Sequence, residues 1–122
     1  MATKTVLLID DDANIRKMTS VRLEREGYRV LTAADGEQGL AMALAEHPDA
    51  ILLDIVMPGI DGREVFTRSK AEASTKEIPV ILLTVVFPSE DRNTRDLLDG
   101  VPRQTKPYKP AELLAKIRTV LP

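Results

Sequence analysis

The stretch AILLD, Ala50 to Asp54, places four apolar residues in succession and then a carboxylate. A strand with one wet face alternates apolar and polar residues. A short run that is apolar throughout instead fits a strand covered on both faces, as in a parallel sheet. VILLT, Val80 to Thr84, repeats the pattern and again closes on a polar residue. Thr5–Asp10 and Tyr28–Ala33 are apolar and β-branched enough to join them as strands.

Helical patterns lie between these runs. Ile15, Met18, Arg22 and Leu23 share one helical face if the aliphatic stem of Arg22 lies along it, and Gly27 is placed to stop that helix. Leu40 and Leu44 mark a second helix between Asp35-Gly36 and Pro48, and Val65 and Phe66 belong to a third. Leu113, Leu114, Ile117, Val120 and Leu121 form a stripe behind Pro110, a residue suited to the first helical turn. The weak interval is Pro88–Thr105. A helix from Ser89 to Leu98 has only Leu97 and Leu98 to bury, and the fifth strand, VPRQT, contains a proline that fits a sheet edge.

Strand and helix alternating five times predict an open α/β fold, a five-stranded parallel sheet flanked by five helices. At 122 residues the chain is expected to be one domain, spanning 1–122 with its core over 4–121. It ends directly after the last amphipathic segment, so no output domain is expected within it.

Composition narrows the function. Lys+Arg 17 against Asp+Glu 19 leaves a net charge of −2, which gives no drive toward nucleic acid or an anionic membrane. The longest apolar run, Ile78–Phe87, is broken by Pro79 and Thr84 and falls short of the roughly 20 residues a membrane helix needs. The opening MATKTVLLIDDD has one lysine and then turns acidic, unlike a secretory signal. Without cysteine there are no disulfides, thiolate metal sites or thiol catalysis, which fits a reducing, cytoplasmic setting.

In an open parallel sheet, ligands bind beyond the carboxyl ends of the strands. Those ends carry Asp10 and Asp11, Asp54 and Thr84, and Lys106 follows the fifth strand. Three carboxylates gathered there need a counter-charge, and a hard divalent cation bound by oxygen is the natural one. Carboxylate, cation, ammonium and hydroxyl together suit phosphoryl transfer, in which a carboxylate can itself be the covalent acceptor. Asp12 and Asp61 stand where acids cap the first and third helices. His47, the only histidine, precedes Pro48 and is expected in solvent.

The set VLLIDDD, ILLDIVMPGIDG, VILLT and TKP, in that order and spacing, resembles the receiver domain of two-component response regulators from about Lys4 to Leu121. The resemblance implies a flavodoxin-like, CheY-like sheet of order 2-1-3-4-5. It implies Asp54 as phosphoacceptor and a Mg²⁺ site made by Asp10, Asp11, Asp54 and the Val56 carbonyl, with Asp11 the foremost ligand. Thr84 then corresponds to the switch hydroxyl, Lys106 to the lysine that contacts the phosphoryl group, and Lys106–Pro107 to a cis peptide. Pro58, Gly59 and Gly62 match the turn after the acceptor strand. The implied protein is a phosphorylation-dependent switch of a two-component system or phosphorelay, not a turnover enzyme. Its donor is a histidine kinase or histidine phosphotransfer protein, and its downstream target meets the 88–121 face. A phosphorylation-dependent dimer is compatible with it, whereas direct nucleic-acid binding and membrane insertion are not expected.

Three departures from the family pattern qualify this expectation. Val85 follows Thr84 where a small residue is usual. Val56 and Val86 stand where polar residues often orient the attacking water, so phosphate uptake from small donors and its spontaneous loss are expected to be slow. Arg103 occupies the place of an aromatic that swings inward on activation. The rival readings are a phosphorylation-independent docking module and a small phosphohydrolase with an aspartate nucleophile. Val56 opposes the second, because such enzymes carry another acid two residues after the nucleophile.

Overall fold

Every residue of the third and fourth strands is buried, and the sheet explains how. The computed structural model describes residues 3–84 and 97–121. Its elements are β1 (Thr5–Ile9), α1 (Ala13–Arg25), β2 (Arg29–Ala33), α2 (Gly36–Glu46), β3 (Ala50–Asp54), α3 (Gly62–Ala71), β4 (Val80–Thr84), β5 (Arg103–Thr105) and α4 (Pro110–Val120). All strand pairs are parallel, in the order β2-β1-β3-β4-β5. Successive side chains on a strand point to opposite faces, so each central strand feeds two cores. Leu7, Ile9, Ile51, Leu53, Val80 and Leu82 pack with Leu40, Ala43, Val65 and Phe66 of α2 and α3. Val6, Leu8, Leu52, Ile81 and Leu83 pack with Leu23 of α1 and Leu113, Leu114 and Ile117 of α4.

Four of the five expected helices lie among the described residues. Most of the remaining expected helix, Ser89–Leu98, falls in 85–96, outside the described residues, as do Val85 and Val86. Among the described residues no helix is long and apolar enough to cross a membrane.

Helix ends follow local chemistry. The side chains of Asp12, Asp35 and Asp61 accept hydrogen bonds from free N–H groups in the first turns of α1, α2 and α3. Past the end of α1, Gly27 adopts φ +97. Its N–H donates to the Glu24 carbonyl at 3.0 Å, and the Tyr28 N–H to that of Leu23 at 3.1 Å, which closes the helix.

Two helical faces differ from expectation. Met18 is 44% exposed and Leu44 43% exposed. The inward seam of α1 runs through half-buried Ile15 and buried Thr19 and Leu23, spaced by four residues, which rotates Met18 out. On α2 the buried set is Gly36, Gly39, Leu40 and Ala43, small residues that let the helix lie close to the sheet. The fifth strand is shorter than the VPRQT segment. Pro102 sits just ahead of β5, and its carbonyl accepts from Leu82 N–H at 2.8 Å. Its missing N–H therefore costs no ladder bond at this edge.

Candidate functional site

The carboxyl ends of β1, β3 and β4 lie side by side, and the residue after β5 folds over them. Asp10, just beyond β1, has no exposed surface, while Asp54, the last residue of β3, is 4% exposed. Lys106 brings its ammonium between them, 2.7 Å from Asp10 Oδ2 and 3.2 Å from Asp54 Oδ2. The Lys106 N–H donates to the Thr84 carbonyl at 2.6 Å, anchoring that segment to the end of β4. The Lys106–Pro107 peptide is cis, as the resemblance implies. Thr84 is buried one residue beyond Leu83, the β4 residue in register with Asp54.

The remaining carboxylate bonds are local. Asp10 Oδ1 accepts from Asp12 N–H at 2.9 Å, and Asp54 Oδ1 accepts from Val56 N–H at 3.2 Å. Asp11 is exposed beside them. One oxygen from each of Asp10, Asp11 and Asp54 lies within 4.8 Å of the others. An open depression of about 500 Å³ reaches Asp11 and Asp54, lined also by Ile15, Val56, Lys106 and Pro107 among others.

The electrostatics are those of a site short of positive charge, with three carboxylates against one ammonium. Burial, then the neighbouring Asp10 charge, push the Asp54 carboxyl up to about 6, and Lys106 offsets this only in part. Burial alone would pull Lys106 down, but its bonds and attraction to Asp10 and then Asp54 hold its ammonium above its ordinary value. Beyond the ion pair with Lys106, buried Asp10 Oδ2 has no hydrogen-bond partner among the described residues. An all-oxygen trio with an under-satisfied buried carboxylate fits a hard divalent cation, which takes carboxylate oxygens and keeps waters of its own.

The structure brings Asp10, Asp11, Asp54, Val56 and Lys106 together, with Thr84 at the adjoining strand end. His47 is exposed at the end of α2 and stands apart from the lining of the depression. Two features escaped the sequence. Arg16 donates from Nη1 to the Asp10 carbonyl at 2.7 Å, bracing the acidic turn. Tyr108 buries its ring in the α1–α4 core, and its Oη meets Thr19 Oγ1 at 2.9 Å. Burial pushes the Tyr108 phenol above its ordinary value. The Thr19–Tyr108 pairing joins residues 89 positions apart and so has no local signal, whereas the Arg16–Asp10 bond closes a turn of six residues that no apolar pattern marks.

Known proteins match this arrangement along the chain. Residues 6–118 match the response regulator receiver domain family. The phosphate regulon transcriptional regulatory protein PhoB of Pseudomonas aeruginosa is 41% identical over 122 residues, covering 99% of this chain and 53% of the relative. The chain spans about half the length of the curated relatives it matches. Among solved structures, the chemotaxis response regulator CheY4 of Vibrio cholerae superposes with a TM-score of 0.88 at 32% identity, over 98% of this chain and 99% of that one. The response regulator TrrA of Thermotoga maritima, solved in complex with Mg²⁺ and BeF, gives a TM-score of 0.83 at 31% identity, over 97% and 99%. With the parallel sheet, the acidic trio and the bridging lysine already in place, these likenesses show that the chain belongs to the response regulator receiver domain family.

Proposed function

We propose that this receiver domain is a phosphorylation-dependent signalling switch with Asp54 as its acceptor. The carrying observation is the Asp54 carboxylate. It is nearly buried, faces an open depression, sits 3.2 Å from the Lys106 ammonium and lies within 4.8 Å of two further carboxylates. With its carboxyl pushed up to about 6, Asp54 is still mostly ionised at neutral pH. It can therefore attack phosphorus without a general base. The new bond joins a carboxylate oxygen to phosphorus, the phosphorus–nitrogen bond of a phosphohistidine breaks, and the imidazole leaves.

The donor is a histidine kinase or histidine phosphotransfer protein. Asp10, Asp11 and Asp54, with the Val56 carbonyl, would hold Mg²⁺, whose chemistry here is charge neutralisation at the phosphoryl oxygens. Lys106 contributes a fixed positive charge from the protein itself. Thr84, at the end of β4, supplies the hydroxyl that responds to the new charge, and the surface running to α4 carries the change to a downstream protein. The domain signals; it does not turn over a separate substrate.

Incubation with a panel of phosphodonors and Mg²⁺, followed by intact-mass measurement, tests the assignment. Wild type is expected to gain a base-labile phosphoryl group and Asp54→Asn to gain none. Equal incorporation by both would overturn Asp54 as the acceptor.

A further inference from the structure

The Lys106 ammonium has to stand between two carboxylates, yet it comes from a segment outside any regular element, between β5 and α4. Its own backbone bond to Thr84 holds one side of that segment. The other side is held two residues later. Tyr108 turns its ring into the core formed by Leu8, Leu83, Leu113 and Ile117 among others, and its Oη meets Thr19 Oγ1 of α1 at 2.9 Å in buried surroundings. Thr19 is polar and yet fully buried on the inward seam of a helix. An unpartnered hydroxyl there would be unfavourable, so the two hydroxyls satisfy one another.

The connection joins the two halves of the site. The turn leading into α1 carries Asp10 and Asp11, and Arg16 of the same helix braces the Asp10 carbonyl. The segment ending at Tyr108 carries Lys106. We infer that the Thr19–Tyr108 hydrogen bond is a tether that sets the position of Lys106 against Asp10 and Asp54, making both positioning residues for phosphoryl uptake. This rests on Asp54 as acceptor for its kinetic consequence, though not for its structural one. A tyrosine ring with any other polar contact would fill the same core; the hydroxyl pair fixes where the chain enters it.

The test uses the whole chain with Mg²⁺ and phosphoramidate as donor. Tyr108→Phe and Thr19→Val remove one hydroxyl each with little change in shape. Each is expected to slow uptake roughly tenfold, in keeping with small misplacements of reacting groups. The double variant should be no slower than either single one, because the hydroxyls act as a pair. Thr19→Ser, which restores the hydroxyl, should regain most of the rate. In a Lys106→Ala background, Tyr108→Phe should change the rate by less than about twofold, since the residue acts through Lys106. Undiminished uptake in both single variants, or equal slowing with and without Lys106, would overturn the tether.

A second readout is independent of phosphorylation. The Lys106 ammonium resonance, assigned by its loss in Lys106→Ala, should be sharp in wild type and Thr19→Ser and broadened in Tyr108→Phe and Thr19→Val. An unchanged resonance in the last two would overturn the tether even if uptake changed. If Asp54→Asn incorporates like wild type, the acceptor assignment fails while the resonance still decides the tether.

Discussion

As the proposed acceptor, Asp54 combines two demands that conflict: a nucleophile must be ionised, and a buried carboxylate resists ionisation. The conflict has a measurable sign. In the free protein the Asp54 carboxyl is raised from 3.8 to about 6 by burial and the Asp10 charge. The folded state therefore binds more protons than the unfolded chain between these values, and stability falls as pH rises through that window. The loss runs through the folded value and is complete by about pH 7. Its size should be on the order of 1–2 kcal/mol, less than the whole shift implies because the depression is open to water. Thermal melts in buffer without divalent ions should show the decline, Asp54→Asn should flatten it, and Mg²⁺ should restore wild-type stability above pH 6 with little effect on Asp54→Asn. A flat wild-type profile would contradict the charge imbalance. Val56 makes a second case at this scale. It is 70% exposed in the lining of the depression, and its side chain cannot orient water. Val56→Asn should therefore speed the loss of phosphate severalfold in a decay time course with Mg²⁺ present, and an unchanged half-life would assign the slow step elsewhere.

Among the elements, α3 shows how closely the fold presses on the site. Its first residue, Gly62, donates to the Ile55 carbonyl at 2.8 Å. A Cβ at Gly62 would lie 2.5 Å from the Asp54 carbonyl oxygen and 2.6 Å from Ile55 Cα, both backbone atoms that cannot swing away. Gly62→Ala should destabilise by about 1–3 kcal/mol through overpacking. It should also weaken Mg²⁺ binding, because α3 would push the end of β3 that carries Asp54. A melt and a metal titration on one sample check both, and unchanged melting would mean that α3 relocates freely. This approach could be suspected from ILLDIVMPGIDG but not located, because only the docked helix reveals which glycine lies under backbone. The same limit explains Met18 and Leu44. A helical stripe read along the chain leaves its rotation uncertain by one residue, and the small residues of α2 and a buried threonine on α1 decided it. Apolar periodicity does not count a hydroxyl as inward-facing, so Thr19 had no signal of its own.

The whole molecule was legible to the extent that burial is two-sided. AILLD and VILLT announce central parallel strands because both their faces are apolar, and the polar residue ending each one marks the functional rim. Sheet order and the cis peptide came from likeness to a family, since no local pattern dictates which strands become neighbours. What remained poorly legible is the edge beyond β4, where few apolar residues commit the chain to one packing. Its described part is held lightly: β5 has three residues, and Arg103 Nη2 donates to the Leu98 carbonyl at 3.0 Å in place of an apolar anchor. Local stability should therefore be lowest along this edge and highest in β1 and β3, which are paired on both sides. A phosphoryl mimic engaging Lys106 and Thr84 pulls on the two backbones joined by the Lys106–Thr84 hydrogen bond, so its effect should spread into residues 97–106 first. Amide exchange with and without Mg²⁺ and beryllofluoride should show altered protection there and none in β1 or in Ile51–Leu53. Identical profiles along the edge would mean that the switch stays within the acidic depression, whereas uniform change across the sheet would indicate global stabilisation by the bound ion instead.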